Sequence, residues 1–173
     1  MIKKIFNMRY FAFLLVSIAL ATTSVHSNEI DRDLPDFSFP VIIGAEKQTS
    51  FNREQLLDQV SVVVFFASWC IICKNEHSNI LSIAKKTNAP FYGVAFKDRE
   101  VKVTSWLNQN ENPYHIVAID KQAKMSKKWG LRGIPAIFII DKKAHIRYQY
   151  SGSVDVKFYE ENILPIIQKL KSE

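Results

Sequence analysis

Two cysteines, Cys70 and Cys73, are the only thiols in this 173-residue chain, and two isoleucines separate them. They stand at the start of a predicted helix. A sulfur there lies near unpaired amide groups and the positive end of the helix dipole, which stabilise a thiolate more than a thiol. The pattern therefore predicts a lowered pKa and a nucleophilic role for Cys70. Cys73, one helical turn later, would resolve the mixed disulfide that Cys70 forms.

Other uses of a C-x-x-C pair suit this sequence less well. A purely structural disulfide would close too small a loop to give much chain-entropy stabilisation. A zinc site needs four ligands, so His77 and a distant histidine would have to complete it. Covalent haem attachment requires a histidine where Lys74 stands. A Cu(I) site built from the two thiolates is chemically reasonable, and a copper chaperone remains the non-enzymatic alternative. We predict no resident metal or cofactor.

The predicted elements on either side of the cysteines place them at the end of a buried strand. Residues 60–67 form a continuous run of β-branched and aromatic side chains, typical of a strand buried on both faces. Apolar residues then recur at helical spacing over residues 70–86. Because an α/β fold places its reactive loop at the carboxyl end of a central strand, the cysteines stand where chemistry is expected.

Strands and helices alternate through the rest of the chain. Residues 28–36 are predicted as an extended lead-in, and Pro40 favours an edge position for the first strand. The further predicted strands cover residues 37–43, 91–96, 115–119, 136–140 and 145–150. The further predicted helices are a short one capped by Asn52, one capped by Asp98, one over residues 122–129 and one over residues 154–170 with a kink at Pro165. This order predicts an α/β fold, with a central mixed β-sheet flanked by helices on both faces, in one domain over residues 28–173.

Residues 1–27 have the architecture of a signal peptide. Basic residues precede an apolar stretch over residues 11–21, and small polar residues follow it. That stretch has eleven residues, whereas a membrane span needs about 20. We therefore predict export with cleavage after Ser27, which gives a more usual leader than cleavage after Ala21. An uncleaved membrane anchor is the alternative. An exported domain works where thiols tend to be oxidised.

The composition is that of a globular domain, with 47% hydrophobic and 23% charged residues. The formal net charge is +6, but Lys3, Lys4 and Arg9 lie in the leader and no acidic residue precedes Glu29. The other basic residues form no dense run with interleaved aromatics. We therefore predict no nucleic-acid partner.

A Trp-Cys-x-x-Cys segment after a buried strand, with Ile134-Pro135 before a later strand, resembles the thioredoxin superfamily. This resemblance implies a thioredoxin-like fold in which Trp69, Ile134 and Pro135 line a substrate groove beside the cysteines. It implies that Cys70 and Cys73 form a redox-active disulfide. It also implies a cis Ile134–Pro135 bond, an isomer that is uncommon without a structural reason.

A closer resemblance covers most of the mature chain. The segments FFASWCIICKNEH and WGLRGIPAIFIIDKKAHIRYQYSGSV, residues 112–114 and the final helix with Pro165 look like the DsbE/CcmG class of thiol:disulfide interchange proteins. That class is periplasmic and usually tethered to the inner membrane. The resemblance implies that the protein reduces disulfides of apocytochrome c or its maturation factors. It also implies a membrane electron donor of the DsbD type.

The resemblance further implies a catalytic role for Glu76, one helical turn after Cys73. A carboxylate partly buried near that thiol would have a raised pKa and could exchange protons with it. A solvated helix residue is the alternative. Two features depart from the class: Ala136 and Ile137 follow the proline where an acid is common, and the leader looks cleavable. A general periplasmic reductase or oxidant with other clients is therefore a second interpretation.

Overall fold

The central feature of the fold is a mixed β-sheet, seen in a computed structural model that describes residues 29–173. The strands are β1 (Glu29–Asp33), β2 (Ser38–Ile43), β3 (Ser50–Asn52), β4 (Ser61–Phe66), β5 (Phe91–Phe96), β6 (Ile116–Asp120), β7 (Ala136–Ile140) and β8 (His145–Ser151). Within these residues the sheet has the order β1-β8-β7-β4-β5-β6-β2-β3. The predicted leader, residues 1–27, lies outside the described residues. None of the helices in residues 29–173 is long and apolar enough to cross a bilayer.

Strand β4 lies in the middle of the sheet, as the sequence predicts. It pairs in parallel with β5 and antiparallel with β7. Its side chains alternate between the two faces: Val62, Val64 and Phe66 belong to one core, and Val63 and Phe65 to the other. Burial on both faces explains the uninterrupted apolar run.

Helices cover both faces of the sheet. They are α1 (Ile71–Asn75), α2 (His77–Lys86), α3 (Glu100–Asn110), α4 (Lys124–Lys128), α5 (Val156–Phe158) and α6 (Leu164–Ser172). A 3₁₀ turn follows β3 at Arg53–Leu56, and a π-helical turn at Tyr159–Ile163 joins α5 to α6. The buried apolar side chains of α2, α3 and α6 belong to the same core as the cysteines. On the opposite face, Leu56 and Trp129 pack in the second core.

The ends of the sheet differ from the prediction. Strand β2 is not an edge strand, because its first half pairs with β3 and its second half with β6. The change of partner falls at Pro40 and Val41, so the proline tolerates a place inside the sheet. Strand β1, predicted only as part of an extended lead-in, pairs with β8 at the other edge. The sequence of β1 is polar and lacks the apolar alternation of a strand, because an edge strand needs little burial.

Two predicted helices are interrupted. The helix predicted over residues 70–86 is divided at Glu76, which ends α1 and precedes α2. The final helix is disturbed by the π-helical turn, and Pro165 lies in the first turn of α6. Because helical residues run without a break from Val156 to Ser172, Pro165 leaves one carbonyl of the preceding turn without its usual backbone donor. The irregularity in the structure is the π-helical turn, which precedes Pro165, and the kink at Pro165 itself stays a prediction.

Candidate active site

Cys70 lies directly before α1 and caps its N-terminus. The backbone N–H of Cys73 donates a hydrogen bond of 3.2 Å to Cys70 Sγ. The two sulfurs form a disulfide whose Cα atoms are 5.3 Å apart. An N–H directed at the Cys70 sulfur stabilises negative charge on it. In the reduced state, the same geometry favours a thiolate at Cys70.

The residues beside Cys70 form an exposed apolar tip, which we define as Trp69, Ile71 and Ile72. Their side chains are 55%, 74% and 54% exposed, whereas Cys70 is only 7% exposed. The Trp69 indole N–H donates to the backbone oxygen of Lys97 at 3.1 Å. That bond fixes the indole beside the cysteines. A polypeptide that approaches Cys70 therefore meets apolar surface first.

The Ile134–Pro135 peptide bond is cis, as the resemblance implied. Pro135 immediately precedes β7, and in the antiparallel pairing of β4 with β7, Phe65 lies opposite Ala136. The end of β4 that leads to Cys70 and the start of β7 therefore lie at the same edge of the sheet. Ile134 packs against the core that contains both cysteines. The backbone oxygen of Pro135 accepts a hydrogen bond from Gly152 N–H at 2.9 Å, which ties the proline loop to the end of β8.

Glu76 is a buried carboxyl group with only 4% of its surface exposed. Its Oε2 accepts a hydrogen bond of 2.9 Å from the N–H of Val154, and the Ser153 side chain bonds to it as well. Burial raises the pKa of Glu76 above its ordinary value, and the two hydrogen bonds offset only part of that effect. Burial raises the pKa of Tyr114, and the negative charge of the Glu76 carboxylate raises it further. The solvated alternative for Glu76 is therefore wrong.

Asp98 positions the loop that carries Trp69, a role that the sequence did not reveal. Its carboxylate accepts hydrogen bonds from Ser68 N–H at 2.6 Å, from Ser68 Oγ at 3.1 Å and from Arg99 N–H at 2.7 Å. The sequence predicts a helix cap here, yet α3 begins after Arg99 and has no side-chain cap. A usable signal existed: Asp98 follows parallel strand β5, so it lies at the same sheet edge as the cysteines.

We expect Asp98→Ala to lower the free energy of unfolding by about 2 kcal/mol, because it removes a buried carboxylate that accepts three hydrogen bonds, two of them from half-buried Ser68. Denaturant unfolding measures the change. Asp36→Ala is the matched control, since Asp36 is exposed and should change stability by less than about 0.5 kcal/mol. Equal stability of the two variants would contradict the assigned role.

His77, considered above as a zinc ligand, serves a packing role in the described structure. Its Nε2 lies 2.9 Å from the backbone oxygen of Asn110 and 3.0 Å from that of Glu111. Its ring contacts Trp106, with the ring centroids 4.6 Å apart. His77 thus links the start of α2 to the end of α3.

Comparison with known proteins agrees with this geometry. The family model described as Redoxin matches residues 30–164. The thiol:disulfide interchange protein DsbE of Allochromatium vinosum is 30% identical over 158 residues, which cover 91% of this chain and 86% of the relative. DsbE of Vibrio cholerae is 30% identical, over 99% of this chain and 97% of the relative. The crystal structure of a thio-disulfide isomerase from Thermus thermophilus superposes with a TM-score of 0.62 at 21% identity, over 78% of this chain and 94% of that one.

A disulfide at the start of a helix, a cis-proline at the same sheet edge and this sheet order define a thiol:disulfide oxidoreductase of the thioredoxin superfamily. The matches then narrow the class. The chain belongs to the redoxin family, and within it to the DsbE group of thiol:disulfide interchange proteins.

Proposed function

We propose that the protein reduces disulfides of client proteins in the periplasm, and that apocytochrome c or its maturation factors are its clients. The observation that carries the proposal is the Cys70–Cys73 pair, with a backbone N–H directed at the first sulfur. The DsbE relatives and the signal-like leader support the compartment. The proposal goes beyond thiol:disulfide exchange in naming the direction of electron flow and the client.

The reaction transfers two electrons from the protein to the client. The Cys70 thiolate attacks one sulfur of the client disulfide, forms a mixed disulfide and releases the other client sulfur as a thiolate. The Cys73 thiolate then attacks Cys70 Sγ, forms the Cys70–Cys73 disulfide and releases the second client thiolate. Protons taken up from the surroundings convert the client thiolates to thiols. A membrane electron donor of the DsbD type restores the reduced pair by the same chemistry in reverse.

The groove residues would hold the client beside Cys70. Ile134 and Pro135 lie at the sheet edge that carries the cysteines. The client backbone would extend along this loop, with the exposed Trp69 indole at its side. Such positioning brings the client sulfur to the nucleophile, which is the main task of an enzyme in an exchange reaction.

Glu76 would act as the general base that takes the proton from the Cys73 thiol. Both side chains are buried and stand three residues apart in the chain, where bulk water cannot easily take up a proton. An acid with a raised pKa suits proton exchange near neutral pH better than an ordinary glutamate does. In this role, Glu76 removes the proton from Cys73 before the second step.

The client is tested by deleting the gene and measuring c-type cytochromes by haem staining. We expect a severe loss that wild-type protein restores and a Cys70→Ala variant does not. Unaltered cytochrome levels would instead favour a general reductase or oxidant with other clients. Equal amounts of the wild-type protein and the Cys70→Ala variant in periplasmic extracts serve as the control for expression.

The direction of electron flow is tested by the reduction potential of the Cys70–Cys73 pair in glutathione or dithiothreitol buffers. A reductant should have a potential nearer to the about −270 mV of thioredoxin than to the about −120 mV of the oxidant DsbA. A potential near the second figure would contradict the proposal. Tight Cu(I) binding without any disulfide exchange with glutathione would favour the copper chaperone.

A further inference from the structure

A cavity of about 270 Å³ opens beside the exposed indole of Trp69. Its lining consists of Ser68, Trp69, Lys97, Asp98, Arg99 and Lys102. The cavity therefore shares one wall, the indole, with the apolar tip. We call it the Trp69 cavity.

The Trp69 cavity carries a net positive charge. Lys97, Arg99 and Lys102 are exposed, and no acidic side chain within residues 29–173 forms an ion pair with any of them. The carboxylate of Asp98 is 8% exposed and already accepts hydrogen bonds from Ser68 and Arg99. Its charge offsets one of the three cations. The exposed acid of this segment, Glu100, lines a different cavity.

The apolar tip adds the second half of the surface. Ile71 and Ile72 are exposed apolar side chains within three residues of Cys70. Exposed apolar residues rimmed by charge are typical of an interaction site. A ligand that covers both surfaces needs apolar side chains next to a carboxylate. A polypeptide segment meets this requirement, whereas a small free anion has nothing to place on the two isoleucines.

We propose that the Trp69 cavity binds an acidic side chain of the client polypeptide, close in sequence to the cysteine that Cys70 attacks. This inference rests on the proposed function and deepens it, because it defines the preferred clients by chemistry: disulfides flanked by apolar and acidic residues. The recognition is electrostatic, since opposite charges at the mouth of the cavity attract the client and hold it beside Trp69.

The binding test does not depend on disulfide chemistry. Three blocked peptides carry serine in place of cysteine and differ only at two neighbouring positions, which are glutamate, glutamine or lysine. Each is titrated into the oxidised protein while the Trp69 indole N–H resonance is followed by NMR. We expect the glutamate peptide to bind about fivefold more tightly than the glutamine peptide at low salt. In 1 M salt, where charges are screened within about 3 Å, the preference should vanish.

Two matched variants locate the preference. R99Q/K102Q removes two charges from the Trp69 cavity and should abolish the preference for glutamate. K128Q/K143Q removes two charges from exposed residues of α4 and the β7–β8 turn and should leave the preference intact. Equal binding of all three peptides, or a preference that survives in R99Q/K102Q, would overturn the inference. So would free glutamate that shifts the Trp69 resonance at the same concentration as the peptide.

A reduction assay separates this inference from the proposed function. The same three peptides, each now bearing a disulfide, are mixed with the reduced protein, and the rates of their reduction are compared. We expect the glutamate peptide to be reduced fastest and the lysine peptide slowest, and R99Q/K102Q to abolish this order. That result would support both the proposed reductase function and the binding of acidic side chains in the Trp69 cavity. If no peptide is reduced, the proposed reductase function fails, and the NMR titration alone then decides whether the cavity selects acidic segments.

Discussion

Replacing Cys73 with alanine is expected to leave the protein covalently attached to its clients through Cys70. The first step of exchange needs only the Cys70 thiolate, which the Cys73 backbone N–H stabilises whatever the side chain at position 73. The second step needs the Cys73 sulfur, so the mixed disulfide has no resolving thiol and persists. The expected product is a set of adducts in periplasmic extracts that disappear on treatment with dithiothreitol, seen on non-reducing gels and identified by mass spectrometry.

Cys70→Ala is the matched control, because it removes one sulfur from the same helical turn. We expect few or no adducts, since the remaining Cys73 is only 3% exposed and, within the described residues, no backbone N–H is directed at its sulfur as one is at Cys70 Sγ. The double alanine variant should capture nothing and sets the background. Adducts from Cys70→Ala in the absence of adducts from Cys73→Ala would reverse the assigned roles. Apocytochrome c among the captured proteins would support the client proposed above.

Replacing Glu76 with glutamine is expected to slow reduction of a client disulfide by about tenfold to hundredfold at neutral pH. The amide keeps the oxygen that accepts the hydrogen bond from Val154 N–H, so the fold around it should survive. It cannot take up a proton from Cys73. The dependence of the rate on pH should therefore lose one ionisation in the variant, and stopped-flow measurement over a range of pH values checks this.

Glu76 should also leave a signature in the stability of the protein. Its pKa is raised on folding, so above its ordinary value of 4.5 the folded protein holds a proton that the unfolded chain releases. The free energy of unfolding then falls as the pH rises from about 4.5 through the raised pKa. Glu76→Gln should remove this fall, which makes the variant more stable than the wild type at neutral pH and nearly equal to it at pH 4.

Glu111→Gln is the control for both measurements. It also removes one carboxylate, but Glu111 is exposed and pairs with exposed Lys85 at 3.1 Å. Surface pairs of this kind contribute little to stability. Loss of activity in both glutamine variants, or an unchanged pH dependence in Glu76→Gln, would contradict the proton role. A purely structural role for Glu76 would alter stability without altering the shape of the pH–rate profile.

The sequence predicts the parts of the fold that depend on burial and spacing. The run over residues 60–67 has no polar face, and only a central strand accommodates it. The cysteine spacing places both sulfurs on one helical turn without further information. The cis bond at Pro135 was implied only by resemblance, because nothing in the local sequence separates it from an ordinary turn proline. The position of the nucleophile Cys70 was therefore predictable from the sequence itself, whereas the proline loop at the same sheet edge was predictable only through the resemblance.

Features that depend on distant partners were not predictable. Strand β1 is polar and becomes a strand only through its pairing with β8, more than 100 residues later. In the sequence Asp98 has the local features of a helix cap. Its hydrogen bonds to Ser68 were not predictable because they join residues that are 30 positions apart. Burial of Glu76 depends on Val154 and Ser153, which lie beyond β8. The helical spacing of Glu76 alone gives no information about which distant residues cover its side chain.

The Cys70–Cys73 pair is confined to a single turn at the start of α1. Opening so short a ring frees little of the unfolded chain, so oxidation adds little to the overall resistance to unfolding. The affinity of the pair for electrons is governed instead by local groups such as the Cys73 amide. The thermal stability and the reduction potential can therefore be changed separately in this architecture: substitutions in the core that contains Leu56 and Trp129, on the face of the sheet opposite the cysteines, can strengthen the scaffold without altering its reactivity.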